Sequence, residues 1–194
     1  MKRVGKIQES YFEEKNDFVP SAEDRARSYT LFTKSSGEDL FPNSLPAKYT
    51  LVKEYSAYGV KGSFAPLQIC ILPQSDLTGV SVSVSDLKNE KGAVITRENI
   101  SIKHVKYEYM QVGEFWMLKG RYLLDGSVDI PAGVTRAFLL TIKIPEDALP
   151  GIYKGKAKLL PEQTGRRRRS LLKCCRLNGP NSRLYNTPEK LYHF

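Results

Sequence analysis

The side chains able to do chemistry in this chain are few and scattered. Two carboxylate pairs lie close in sequence, Asp125 with Asp129 and Glu146 with Asp147, and paired carboxylates are what glycosidic hydrolysis requires. Both sit among turn formers, the first flanking Asp125-Gly126 and the second inside PEDALPG, so they read as turn residues and solvated charges. The two histidines, His104 and His193, have no companion at ligand spacing, which leaves no general base or metal centre to assign. Cys174 and Cys175 are adjacent and cannot form the spaced pair of a zinc knuckle or redox motif, while Cys70 lies in an apolar run and reads as a buried free thiol. There is no phosphate-cradling glycine loop. No catalytic residue, metal or cofactor is therefore expected.

Aromatic residues offer a better case for binding. Tyr107, Tyr109, Trp116 and Tyr122 surround one expected loop, Gln111 to Gly120, and rings of this kind stack on the apolar faces of sugars. These four are the candidate carbohydrate-binding residues, against the simpler reading that they pack in the core or on another domain. The run Arg166–Arg169 could attract nucleic acid or an anionic membrane by charge alone. It lacks interleaved aromatics and any recognised nucleic-acid fold, and reads as a solvated tail. The net charge of +9 belongs to that end of the chain: from Gly165 onward eight Lys and Arg stand against Glu189, leaving +2 for residues 1–164. Nucleic acid is accordingly disfavoured as a partner.

The elements that must position these residues are strands. In PAGVTRAFLLTIKIPEDALPGIYKGKAKLL, residues 131–160, Val134, Phe138, Leu140, Ile142 and Ile144 share one parity, and after the connector the alternation resumes with Tyr153, Gly155, Ala157 and Leu159 inward and Lys154, Lys156 and Lys158 outward. A period of two is that of a strand with one dry face. FAPLQICIL, Phe64–Leu72, is apolar on both parities apart from Gln68, as in a strand covered on both sides, and a buried Gln68 would take its partners from neighbouring backbone. VSVSVS, Val80–Ser85, alternates cleanly. Tyr29–Thr33, Tyr49–Tyr55, Val94–Thr96 and Tyr122–Leu124 are shorter candidates.

Ile100 and Ile102 lie on even positions but Val105, Tyr107 and Tyr109 on odd ones, which predicts a β-bulge at Lys103 and His104. Pro20 argues against a helix over Ala22–Arg27. The expectation is an all-β, jelly-roll-like β-sandwich of about eight antiparallel strands over residues 29–160. A flexible lead-in, 1–28, precedes it and a disordered, irregular basic tail, 161–194, follows. At 194 residues the chain suffices for one such domain, and no stretch approaches the roughly 20 apolar residues of a membrane span.

Several segments taken together resemble a known family. FPNSLP (41–46), GSFAPLQICILP (62–73), LTGVSVSVSDL (77–87), VKYEY (105–109) and IPEDALPGIYKGKAKL (144–159) are similar to the N-terminal β-sandwich domain that precedes the catalytic barrel in glycoside hydrolase family 123 and in related uncharacterised bacterial proteins. There, a segment of the type G-E-Y/F-E-P-x-Q leads into a buried strand, and VP-x-D-A-x-P-G-x-Y-x-G into the last strands. The resemblance spans about residues 29–160. It implies a non-catalytic accessory domain that supports carbohydrate processing, with carbohydrate or a catalytic barrel domain as partner.

The family hydrolyses a terminal N-acetylhexosamine, carboxylates in the barrel assisting attack by the substrate's own acetamido group. No position here corresponds to that barrel, so no catalytic residue carries over and the chain is expected not to be an enzyme. The family's sandwich continues into a further apolar strand where this chain has Arg166–Arg169, a departure that points to a truncated or frame-shifted reading frame, or to a divergent stand-alone module. Relatives are usually exported, yet MKRVGKIQESYFEEKN has no apolar run after Lys2 and Arg3 and is not a secretory signal as written; localisation stays open. The alternatives are a stand-alone carbohydrate-binding module and a basic-tailed nucleic-acid or membrane-surface binder.

Overall fold

In the computed structural model, which describes residues 6–7, 17–35, 37–38, 40–51, 54–113, 115–160 and 170–178, the alternating segments become the strands of two sheets. In chain order these are β1 (Lys6–Ile7), α1 (Ala22–Arg27), β2 (Tyr29–Phe32), β3 (Tyr55–Tyr58), β4 (Phe64–Pro73), β5 (Leu77–Val84), β6 (Leu87–Lys88), β7 (Val94–Ile95), β8 (Ile100–Val112), β9 (Phe115–Leu124), β10 (Val128–Ile130), β11 (Arg136–Lys143), β12 (Ile152–Leu160) and β13 (Ser170–Asn178). Short 3-10 turns occupy Lys48–Thr50 and Arg97–Asn99. The first sheet runs β1-β9-β8-β11-β4-β2 and the second β10-β5-β12-β13-β3, with β6 on β12 and β7 on β6. Neighbours are antiparallel apart from β1 with β9 and β3 with β13. The fold is the expected all-β sandwich. No helix among the described residues is long and apolar enough to cross a membrane.

The dry interior follows from strand parity. On β11, Phe138, Leu140 and Ile142 lie opposite Ile69, Leu67 and Ala65 of β4 and opposite His104, Ile102 and Ile100 of β8. Directly opposed residues share a face. That face meets Val80, Tyr153, Ala157 and Leu159 of the second sheet in one buried cluster. Gly155 permits the close approach of β12 to β6: a Cβ there would press into Leu87 and stand 3.0 Å from the carbonyl oxygen of Asp86.

At its centre the first sheet is dry on its other face as well. Phe32, Leu40, Cys70, Leu72, Val105 and Ala137 form a second buried cluster, joined by Phe18, Leu45 and Tyr107. The cover is the irregular chain around β2: Thr33 Oγ1 donates to the carbonyl of Gln68 at 2.8 Å, and Thr135 Oγ1 to that of Ser44 at 2.6 Å. This explains why β4 is apolar on both parities. Cys70 is a buried free thiol. Gln68, also buried, directs its amide Nε2 at Cys70 Sγ, 3.7 Å away, rather than at the backbone expected.

The second layer also corrects the predicted bulge. Pairing of β8 is regular through Lys103 and His104, with Phe138 opposite His104 and Leu123 opposite Val105. The parity changes because the strand buries first one face and then the other: Ile100 and Ile102 toward the second sheet, Val105 and Tyr107 toward the cover. The register shift in this hairpin falls between Glu108 and Tyr109.

Other expectations are corrected too. Gln111 to Gly120 is not a loop but the end of the β8–β9 hairpin; Val112 faces Phe115 across two residues, the first being Gly113 at φ 63°, as primed hairpin turns need. Ala22–Arg27 is helical. Pro20 lies before the N-cap, where it does no harm, and Ser21 and Asp24 form a capping box. Tyr49 and Leu51 are exposed rather than alternating inward in a strand that runs to Tyr55. Within 161–194, Ser170–Asn178 runs as a strand beside β12 and β3; the remainder of that stretch, Arg166–Arg169 and His193 included, lies outside the described residues.

Candidate functional site

The four candidate aromatics belong to one hairpin but not to one face. Tyr107 and Tyr109 alternate on β8, and Tyr107 stands opposite Arg121, whereas Tyr122 stands opposite Lys106. Adjacent residues of a strand point to opposite sides, which puts Tyr122 on the reverse of the hairpin from Tyr107 and Tyr109. The backbone of Trp116 is opposite Gln111; its side chain lies outside the described set.

Tyr107 acts as a structural anchor. Its ring joins the second buried cluster and its hydroxyl donates to the carbonyl of Leu40, tying the cover to β8. Tyr109 and Tyr122 are about half exposed, at 46% and 45%, whereas Tyr107 is partly buried.

Of the candidate carboxylates, Glu146 and Asp147 are exposed in the connector between β11 and β12, and the first pair has structural partners. Asp125 receives Lys103 Nζ at 2.9 and 2.8 Å, Asp129 receives the Gly79 N–H at 2.8 Å and thereby joins β10 to β5, and Asp86 receives the Arg97 N–H at 2.9 Å. Among the described residues no group of three or more His, Cys, Asp or Glu converges as a metal site would require.

His104 is a core residue. It is 6% exposed and meets Phe138 edge-on, with ring centroids 6.3 Å apart. Among the described residues its Nδ1 has no hydrogen-bond partner, and neither does Nε of Arg136, although Arg136 Nη1 donates to the carbonyl of Val105 at 2.8 Å. Burial holds the imidazole below its usual value; the nearby Arg136 cation acts in the same direction, while a backbone hydrogen bond at Gly126 and the Asp125 carboxylate oppose it. The unfolded chain therefore takes up a proton at His104 at a higher pH than the folded chain does. Stability should fall as pH drops below about 6.5 and level off below the lowered folded value. Melting curves at pH 7.5, 6.5 and 5.0 should show a larger loss in the native chain than in His104→Gln; equal losses would remove His104 as the cause.

What sequence reasoning passed over lies on the far side of the molecule. Lys154, Lys156 and Lys158 read there merely as the wet face of a strand. The pairing of β6 with β12 sets Lys88 directly opposite Lys154, a juxtaposition that no local pattern announces.

No family model and no curated protein matches the chain. Among solved structures it is similar to a family 123 glycoside hydrolase from Clostridium perfringens, studied for glycolipid glycan hydrolysis, with 18% identity and a TM-score of 0.61 over 77% of this chain and 27% of that one. At this identity the likeness is one of fold, and the chain spans 27% of that enzyme's length. The sporulation control protein Spo0M from Bacillus subtilis aligns over 78% of this chain and 49% of its own, at 10% identity and a TM-score of 0.33, too low to carry an argument.

Proposed function

We propose that the chain is a non-catalytic β-sandwich module of the glycoside-hydrolase accessory type, which supports carbohydrate processing by contacting a catalytic domain instead of cleaving the glycan itself. The observation that carries this reading is the fold likeness to a family 123 glycoside hydrolase over 77% of this chain. The side-chain inventory agrees with it. Asp125, Asp129 and Asp86 are engaged with Lys103, Gly79 and Arg97, and the buried His104 packs on Phe138, so these groups serve the fold. Incubation of the purified chain with chromogenic N-acetylhexosaminides should give no turnover above buffer. A robust rate that co-purifies with the chain, and is lost on Asp125→Asn or Asp129→Asn, would overturn the reading.

A second reading, a stand-alone carbohydrate-binding module, is favoured by one observation, the half-exposed ring of Tyr109 on the β8–β9 hairpin. It requires glycan-array binding that disappears in Tyr109→Ala while the melting temperature is kept. The same array probed with Tyr122→Ala separates the two faces of the hairpin.

A further inference from the structure

The outer face of the second sheet carries a row of cations. On β12, Tyr153, Ala157 and Leu159 are buried and Lys154, Lys156 and Lys158 are exposed, so the three ammonium groups leave one side of one strand at intervals of about 6.7 Å, two residues of strand rise. Lys88 of β6 is opposite Lys154, and Ser83 of β5 is opposite Lys158, with Ser81 one step along. Val82 and Val84 turn inward to the core, which leaves the serines on the same side as the lysines.

Among the described residues no carboxylate forms an ion pair with Lys88, Lys154, Lys156 or Lys158; the ion pairs found involve Arg27, Lys103 and Lys106. Like charges directly opposed across strands destabilise a sheet. Lys88 against Lys154 is such a pair, and it is compatible with a ligand that supplies the missing negative charge.

We propose that this face binds an acidic polysaccharide, a linear glycan bearing carboxylate or sulfate groups, laid along β12. Charge complementarity identifies the ligand class. The composition of the face narrows it: single-stranded nucleic acid is held on a series of stacking aromatics beside its cations, whereas here the neighbours of the lysines on β5 are Ser81 and Ser83, hydroxyls suited to sugar hydroxyls. Among the described residues the one exposed aromatic on this face is Tyr58 of β3, two strands from β12. The surface is distinct from the Tyr109 hairpin and does not depend on the accessory-module reading; the chain can fail as a glycosidase accessory and still bind here, or the reverse.

The test is retention and titration of the full chain with a sulfated and a uronate polysaccharide, a neutral glucan, and a single-stranded oligonucleotide of matched charge. Lys154→Ser/Lys156→Ser/Lys158→Ser should weaken acidic-glycan binding at least tenfold. A control triple with the same change in net charge, Lys61→Ser/Lys91→Ser/Lys143→Ser, should change it less than threefold, as should replacing Arg166–Arg169 by Gln. Equal losses in the two lysine triples would show unspecific attraction and overturn the proposal, and so would an oligonucleotide that competes as well as the acidic glycans. Far-ultraviolet circular dichroism and melting of each variant verify that the exposed substitutions leave the fold in place.

Discussion

Phe138→Ala should be the most damaging single substitution of those considered, costing about 3–5 kcal/mol. The ring is 1% exposed, sits opposite Ile69 on one side and His104 on the other, and belongs to the cluster that joins the two sheets. Its removal forfeits the transfer energy of the ring and leaves a void that a two-sheet interior cannot fill without shifting both layers. Domains of this size carry about 5–15 kcal/mol in all. The urea midpoint should therefore fall by a large fraction, or the variant should fail to accumulate as folded protein. Ile142→Val, at the edge of the same row, should cost about 0.5–1.5 kcal/mol and keep the measurement readable. A loss below about 1 kcal/mol for Phe138→Ala would mean that the sheets do not meet through this ring.

Leu40→Ala should follow at about 2–5 kcal/mol, although Leu40 lies outside every strand. It is 1% exposed within the cluster that covers the outer face of the first sheet, whereas Tyr49, in the same connecting segment, is 82% exposed. Tyr49→Ala should accordingly stay within about 0.5 kcal/mol. The hydrogen bond from Tyr107 uses the backbone carbonyl of residue 40, so it survives the truncation and the loss reports packing. Denaturant unfolding of the two variants side by side decides the matter. Equal, small effects would show that residues 40–50 lie loosely on the sheet.

What could be read from the sequence is whatever a strand's own period records. The inward set of β11 and β12, the two dry faces of β4 and the alternation of β5 all appear in the structure because each face of those strands keeps one environment along its length. β8 does not. Its dry face changes partway, from the second sheet to the cover, and in sequence such a change has the same signature as a bulge. The helix Ala22–Arg27 was hidden by Pro20, although Ser21-x-x-Asp24 is a capping signature that three-residue spacing could have exposed.

The candidate site was less legible, since residue type does not reveal which way a side chain points or what lies over it. Tyr107 and Tyr109 are chemically alike and two residues apart, yet one anchors the cover and the other faces solvent. Lys154 was visible as a surface charge, but its apposition to Lys88 depends on pairing between segments more than sixty residues apart.

The centre of the first sheet, β4 and β11, is dry on both faces, and its reading as a scaffold rests on that. Hydrogen–deuterium exchange of the native chain measures that most directly. The amides of β4 and β11 should be the slowest in the molecule and should exchange only through global unfolding, at a rate that follows the stability set by denaturant. Rapid exchange in Phe64–Pro73 or Arg136–Lys143 under conditions where the chain stays folded would contradict it.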